Sequence, residues 1–294
     1  MNKESNKVYY VYGFTPVGSV VEDAPAPPRQ ADLSPSPLNG GIDDQHPPFF
    51  WRCGEVAAVL SLVSQAEFCG PAGEKNLSDL DWLAPRARQH QAVLEQVMRR
   101  GSVWPARFGT LFSSLSSLGD FVRKHEVAIA RFLERANGHE EWAVKGFLDQ
   151  ERAEAELSIR LRAPIDLSPV SPGLAYMQEQ RLRIKVKQEL EDQLAVGCNG
   201  LLNELNPLAS EVCQRRILSR ETTGTEGEMV VNWAFLLPRP AGDDFRAQIE
   251  RANGEENLRG LAFELSGPWP PYSFCPALEP ESSPTVVIAE GDKQ

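Results

Sequence analysis

The sequence predicts an α+β protein of two domains, an N-terminal α+β sandwich-like domain and a C-terminal ferredoxin-like (βαββαβ) domain. Three observations predict it. The chain has 294 residues, more than one compact core of typical size holds. Alternating apolar runs are interleaved with helical periodicity in both halves. From Glu140 onward the order of these patterns is β, α, β, β, α, β, the split βαβ arrangement in which two helices roof one face of an antiparallel sheet. The expected division is residues 1–138, residues 139–278, and a flexible acidic tail at 279–294.

Element by element, KVYYVYGF (7–14) is rich in β-branched and aromatic residues and reads as a strand. Eight prolines lie between Pro16 and Pro48, among acids and small polar residues. Such a segment buries too little apolar surface to offset its ordering entropy, so 18–47 is expected to be a disordered or polyproline-like surface insert. Phe49 to Cys53 is strand-like, and the continuation from Glu55 is open between helix and strand. Leu80, Leu83, Ala87, Leu94 and Met98 recur at helical spacing, with Ser78 as the expected N-cap and Gly101 as the stop. VWPARFGTLF (103–112) reads as a strand interrupted by proline. A second amphipathic helix is expected over 117–136, burying Phe121, Val122, Ile129, Phe132 and Leu133.

In the second half, Trp142, Val144, Gly146 and Leu148 alternate on one face of a half-buried strand, with Lys145 toward solvent. The charged run DQERAEAEL (149–157) reads as a solvated connector or helix face, and 163–173 as a loop. Leu182, Val186, Leu190 and Leu194 mark a long helix from about Leu174, with a break expected at Gly197–Gly200. VCQRRILSR is expected as a short strand, ETTGTEGE as a turn and MVVNWAFLLPR (229–239) as a buried strand. A short helix ending at Gly254 and a strand over 258–265 follow. Directly after comes GPWPPYSF (267–274), prolines and aromatics packed together where the chain can fold over a sheet rim.

Composition narrows the function. A formal net charge of -11 argues against nucleic-acid binding, which needs a positive field, and against anionic lipid. No apolar stretch reaches the roughly twenty residues of a membrane span, and the N-terminus lacks a signal-peptide pattern, so a cytoplasmic protein is expected. The five cysteines are scattered, without CxxC or Cys/His spacing, and read as semi-buried free thiols; no metal site is expected. His46, His90, His125 and His139 are isolated and expected on the surface. Glu140 and Glu141 are neighbours on a strand and point to opposite faces, so they cannot act on one bond. No phosphate loop, dinucleotide fingerprint or nucleophile elbow is present; no catalytic residue and no cofactor is expected. Arg107, among Trp104, Phe108 and Phe112, suits either an aromatic stack or clamp, or an ion pair within its own domain.

In order along the chain, YYVYGF, VWPARFGTLF, EEWAVKGF, SPGLAYMQEQR, MVVNWAFLLPR and LAFELSGPWPPYSF resemble the gas vesicle GvpF/GvpL family, and GPWPPYSF at Gly267–Phe274 is the most specific of these pieces. The Pro-rich insert departs from the family pattern. The resemblance implies an accessory or minor structural protein of gas vesicles, located at the vesicle in the cytoplasm. It implies a part in nucleation or assembly of the shell, with the major shell protein of the GvpA type and other accessory proteins as partners. It also implies an α+β N-terminal and a ferredoxin-like C-terminal domain, and no enzymatic residues. Candidate contact residues are Trp269, Tyr272 and Phe274, with Trp104, Arg107 and Phe108 behind them; the alternative role for these side chains is core packing. A small-molecule-binding or enzymatic ferredoxin-like domain is the competing functional class.

Overall fold

A computed structural model describes residues 7–19, 38–43, 45–162, 172–225, 227–254 and 260–278. It is a mixed α+β structure with two sheets and separates into two compact units. The first comprises the residues up to His139 and those from Trp269 onward; the second is Glu140–Pro268. The closing aromatic segment therefore belongs to the first unit, whereas its place in the sequence groups it with the second.

In the first unit, β1 (Lys7–Pro16) pairs antiparallel with β3 (Val56–Ser64), and β3 with β2 (Phe49–Cys53). The stretch left open after Glu55 is thus a strand, and Val56 to Leu60 are all buried. Two short helices follow, α1 (Gln65–Phe68) and α2 (Gly70–Ser78), then α3 (Leu80–Met98). Its N-cap is Asp79, whose side chain accepts from Asp81 N, and not Ser78, which ends α2. Leu80, expected inside, is exposed; the buried stripe is His90, Val93, Leu94, Val97 and Met98. The helix ends before Gly101, whose N–H still reaches Val97 O at 3.2 Å.

The expected strand over 103–112 is two short bridges on β1, β4 (Trp104–Pro105) and β5 (Leu111–Phe112), with a turn between them. The helix α4 (Leu115–Arg135) is capped by Ser114 and buries Leu118, Val122, Ile129, Phe132 and Leu133, with Phe121 half-buried.

A bulge in β1 decides which helix each aromatic meets. The β1–β3 register shifts between Val11 and Gly13, and an extra residue reverses the alternation of faces beyond it. Tyr10 and Tyr12 lie in the cluster with Val93, Leu94 and Val97 of α3. Phe14, which strict alternation would put beside them, stacks instead on Trp104 and on Phe121 of α4. Gly13 takes the α3 face, where a Cβ would stand 2.6 Å from Trp104 O and 3.0 Å from Leu94 Cδ2; no larger residue fits. The end of the expected insert joins the same core. Leu38 and Ile42 are buried in it, and Ile42 N donates to Tyr12 Oη at 2.6 Å. The 18–47 surface reading fails there because two apolar side chains and one backbone donor find partners. Residues 20–37 of the insert lie outside the described residues.

The second unit opens with β6 (His139–Leu148), then α5 (Gln150–Arg162), α6 (Pro172–Leu205), β7 (Glu211–Gln214), a one-turn α7 (Arg220–Thr223), β8 (Glu228–Pro238), α8 (Gly242–Gly254) and β9 (Leu261–Trp269). The sheet order is β7-β8-β6-β9, with β7 and β8 antiparallel. Trp142, Val144, Val231, Trp233, Phe235 and Phe263 of the sheet pack with Leu201 and Leu205 of α6 and Phe245 and Ile249 of α8.

One open reading resolves and three expectations change here. The run at 149–157, open between connector and helix face, leads into helix α5, whose Ala153 and Leu157 pack on Leu182, Val186 and Leu190 of α6. α6 runs unbroken through Gly197–Gly200: each glycine costs about 1 kcal/mol in a helix, and packing of Cys198, Leu201 and Leu202 on the core outweighs it. β6 is buried on both faces, since Glu141, Ala143 and Phe147 are as enclosed as Trp142 and Val144, and Lys145 is half-buried. The expected strand over 212–220 stops at Gln214, and α7 forms in the expected turn. The expected loop at 163–171 and the tail at 279–294 lie outside the described residues.

Candidate interaction site

The turn between β4 and β5 is fixed by backbone. Ala106 N donates to Tyr12 O at 2.8 Å and Val11 N to Thr110 O at 2.9 Å, while Thr110 N and its hydroxyl both donate to Arg107 O. Within this frame Phe108 turns inward, its ring edge-on to Tyr10 and His90 at 5.9 and 5.8 Å. Arg107 turns outward, exposed and without an ion pair among the described residues, so the expected salt bridge is absent there. Trp104 is buried on the α4 side, stacked on Phe14 at 5.1 Å.

Behind Phe108 sits a buried polar cluster. Tyr10 Oη and His90 Nδ1 are 2.8 Å apart, and Gly109 N donates to the same phenol at 3.4 Å. Tyr12 Oη meets Ser61 Oγ at 2.9 Å, and the Ser61 hydroxyl donates to His46 O. Burial pushes the His90 imidazole down to about 4 and the Tyr10 and Tyr12 phenols up. The surface expectation for His90 is therefore wrong. It occupies the position three and four residues before Val93 and Leu94, and the buried stripe of α3 carries it inside. His125 is half-buried against Phe121.

The closing segment lies over the same unit. Three prolines restrict its backbone, and Tyr272–Phe274 forms a single 3₁₀ turn. Pro270, Pro271 and Phe274 are buried, and Arg135 at the end of α4 donates to Phe274 O at 2.8 Å. The other two aromatics face out: Trp269 is 36% exposed and Tyr272 37%. Tyr272 Oη contacts Gln91 Oε1 at 3.5 Å, and it lies near enough to Tyr10 to help raise that phenol. Tyr272 and Phe108 thus flank one turn of α3, at Gln91 and His90. Trp104 is on the other face of the sheet. Of the six candidate residues, Trp269, Tyr272 and Arg107 are exposed, and Trp104, Phe108 and Phe274 are packed. The strand expected at Phe49–Cys53 is β2, an edge strand whose Phe49, Phe50 and Trp51 are half-buried and whose outer side no strand pairs among the described residues; it was not among the candidate contact residues.

Among the described residues no three His, Cys, Asp or Glu side chains converge as metal ligands, and the five cysteines are half-buried. Among the same residues no helix is long and apolar enough to cross a membrane.

The family model for gas vesicle synthesis protein GvpL/GvpF matches residues 8–276. The chain belongs to the GvpL/GvpF family. It is 29% identical over 230 residues to gas vesicle protein L of Streptomyces sp., covering 78% of this chain and 83% of that one. It is 31% identical over 97 residues to gas vesicle protein L1 of Halobacterium salinarum, about a third of each chain. In fold it is similar to GvpF crystal structures. The one from Anabaena sp. PCC7120 has a TM-score of 0.61 at 20% identity, over 93% of this chain and 98% of that. The one from Microcystis aeruginosa has 0.59 at 18%, over 92% and 99%. GPWPPYSF lies inside the span matched to the GvpL/GvpF family.

Proposed function

We propose that this chain is an assembly factor of the gas vesicle shell, working at the vesicle in the cytoplasm by binding another gas vesicle protein and not by catalysis. The favoured partner is the small major shell protein. A gas-filled shell needs subunits with an apolar face, and such a face must be masked in water before assembly. The second unit is read as a ferredoxin-like module, because its strands β6, β7, β8 and β9 stand in the order 2-3-1-4 with α6 and α8 against the sheet.

One observation carries the proposal. A segment tied down by buried Phe274 and the Arg135 hydrogen bond holds Trp269 and Tyr272 a third exposed. Rigid aromatics lose little entropy on binding, and Trp, Tyr and Arg dominate interface energetics. Arg107 adds an exposed cation, and β2 adds a sheet edge for strand pairing. The test replaces Trp269 and Tyr272 together by Ala and measures thermal stability and capture of purified shell protein. Capture should fall about tenfold while the double variant stays folded at the assay temperature, with a melting temperature lowered by less than that of Phe274→Ala; unchanged capture, or a variant that melts as early as Phe274→Ala, removes the docking role.

A further inference from the structure

We propose that the first half of α6 is one strand of a heterotypic coiled coil, taking an acidic amphipathic helix of a partner protein. This surface is separate from the closing aromatic segment, and the inference does not depend on that segment's role.

Leu182, Val186 and Leu190 are spent on the core of the second unit. On the opposite side of the same helix, Leu174, Met177 and Ile184 are exposed by 46%, 53% and 59%. Together with Arg181 and Gln188 they fall at positions 174, 177, 181, 184 and 188. The spacing of three, four, three and four is the a/d seam of a heptad repeat. Leu182 and Val186 then fall at b and f, the outward positions of a coiled coil, which accounts for one helix serving two packing faces. The seam spans about 22 Å of helix and ends where Glu191 and Asp192 replace its apolar and basic residues.

Charge fixes the partner. From Gln180 to Gln188 there are four cations and no acid, in a chain of net charge -11. Lys185 and Lys187 take the e and g positions beside the seam, and Arg181 sits in the seam itself. Arg181, Lys185 and Lys187 are exposed and make no ion pair among the described residues; Arg183 has only a 3.8 Å contact with Glu179. Charges at e and g set coiled-coil partner choice, and a polar residue at an a position sets register. A second copy of this helix would set Lys against Lys and Arg near Arg, which is repulsive. A helix with leucines on its seam and glutamates at e and g supplies carboxylates to Arg181, Lys185 and Lys187. An anionic bilayer would meet a helix already committed on its other face and a strongly acidic chain behind it.

The experiment titrates the full chain against a labelled synthetic three-heptad peptide with Leu at a and d and Glu at e and g, read by fluorescence anisotropy. Controls are the same peptide with Lys at e and g, a scrambled acidic peptide, and phosphatidylglycerol vesicles. Saturable, salt-sensitive binding of the first peptide alone is expected. Met177→Glu with Ile184→Glu should weaken it about tenfold, as should Arg181→Glu with Lys185→Glu, by removal of the seam and of the complementary charge respectively. All four substitutions are on exposed positions, and unchanged circular dichroism verifies folding. The proposal is overturned by equal binding of the basic or scrambled peptide, by binding that survives both double variants, or by no saturable binding. Preferential binding to vesicles, or self-association of the chain lost in the variants, overturns it in favour of a lipid surface or a second copy.

Discussion

The phenol of Tyr10 and Nδ1 of His90 meet at 2.8 Å inside the first unit, joining β1 to α3 across 80 residues of chain. Tyr12 stacks on the same imidazole at 5.5 Å, and Nε2 of His90 is buried with only the Ala106 backbone to oppose the effect of burial on the ring. A proton arriving on that ring would place a charge in an aromatic core with no acid beside it among the described residues.

The consequence is a pH-dependent stability. His90 binds its proton near pH 6.5 when unfolded and near 4 when folded, so between these values the unfolded state holds more protons. Stability is full above about 6.5 and falls as the pH drops toward about 4, by about 3 kcal/mol in all. Urea midpoints measured from about pH 7 to 5 should decline before most carboxylates titrate. His90→Phe should flatten that decline; an equally steep slope in the variant would assign it elsewhere.

A second buried polar contact gives a different signature. Glu141 on β6 is almost fully enclosed and accepts from Nη2 of Arg215, which lies just past β7. Glu141→Ala leaves the guanidinium without its carboxylate and should cost about 3–5 kcal/mol, whereas Glu141→Leu with Arg215→Met should cost far less. Chemical denaturation of the two variants measures the difference. A double variant as unstable as the single one would show that the pair matters through shape and not charge.

Much of the fold was legible because strands and long helices announce themselves by period. KVYYVYGF and MVVNWAFLLPR could be little else, and Val122, Ile129, Phe132 and Leu133 fall on one side of a helix at any reasonable register. What escaped was decided by tertiary packing. α5 holds α6 through Ala153, Leu157 and half-buried Leu161, too few apolar residues to separate it from a charged linker. The glycines at 197 and 200 are helical because their neighbours have a core to fill. Leu38 and Ile42 are lone apolar residues among prolines, and nothing local says that a core has room for them. His90 was findable: polar flanks hid it, yet it continues the Val93, Leu94 and Val97 stripe one turn back.

The candidate site was legible as a set of residues but not as an arrangement. GPWPPYSF marked a rigid aromatic closure, and its position directly after the strand expected over 258–265 suggested the second unit. The chain instead returns to the first unit, where Gln91 and Arg135 receive it. Gly267 permits the exit. Its φ is +138°, and a Cβ at this position would stand 2.9 Å from Glu141 O, so no side chain is tolerated there. Which rings turn in and which turn out depends on that path, and no periodicity encodes it.

That division of labour within the closing segment can be measured directly. Phe274 is 8% exposed and its carbonyl takes the Arg135 hydrogen bond, so Phe274→Ala removes a buried ring and should destabilise the first unit by about 3 kcal/mol. Arg135→Met keeps the aliphatic stem, deletes the donor and should cost about 1 kcal/mol. Trp269→Ala and Tyr272→Ala remove rings that are already partly in water, and each should cost less than about 1.5 kcal/mol. Calorimetric melting of the four variants sets the order: Phe274 first, by a clear margin. If Trp269→Ala melts as early as Phe274→Ala, the outer ring is a structural plug and not a surface held out for a partner, and the segment has no face to spare for binding.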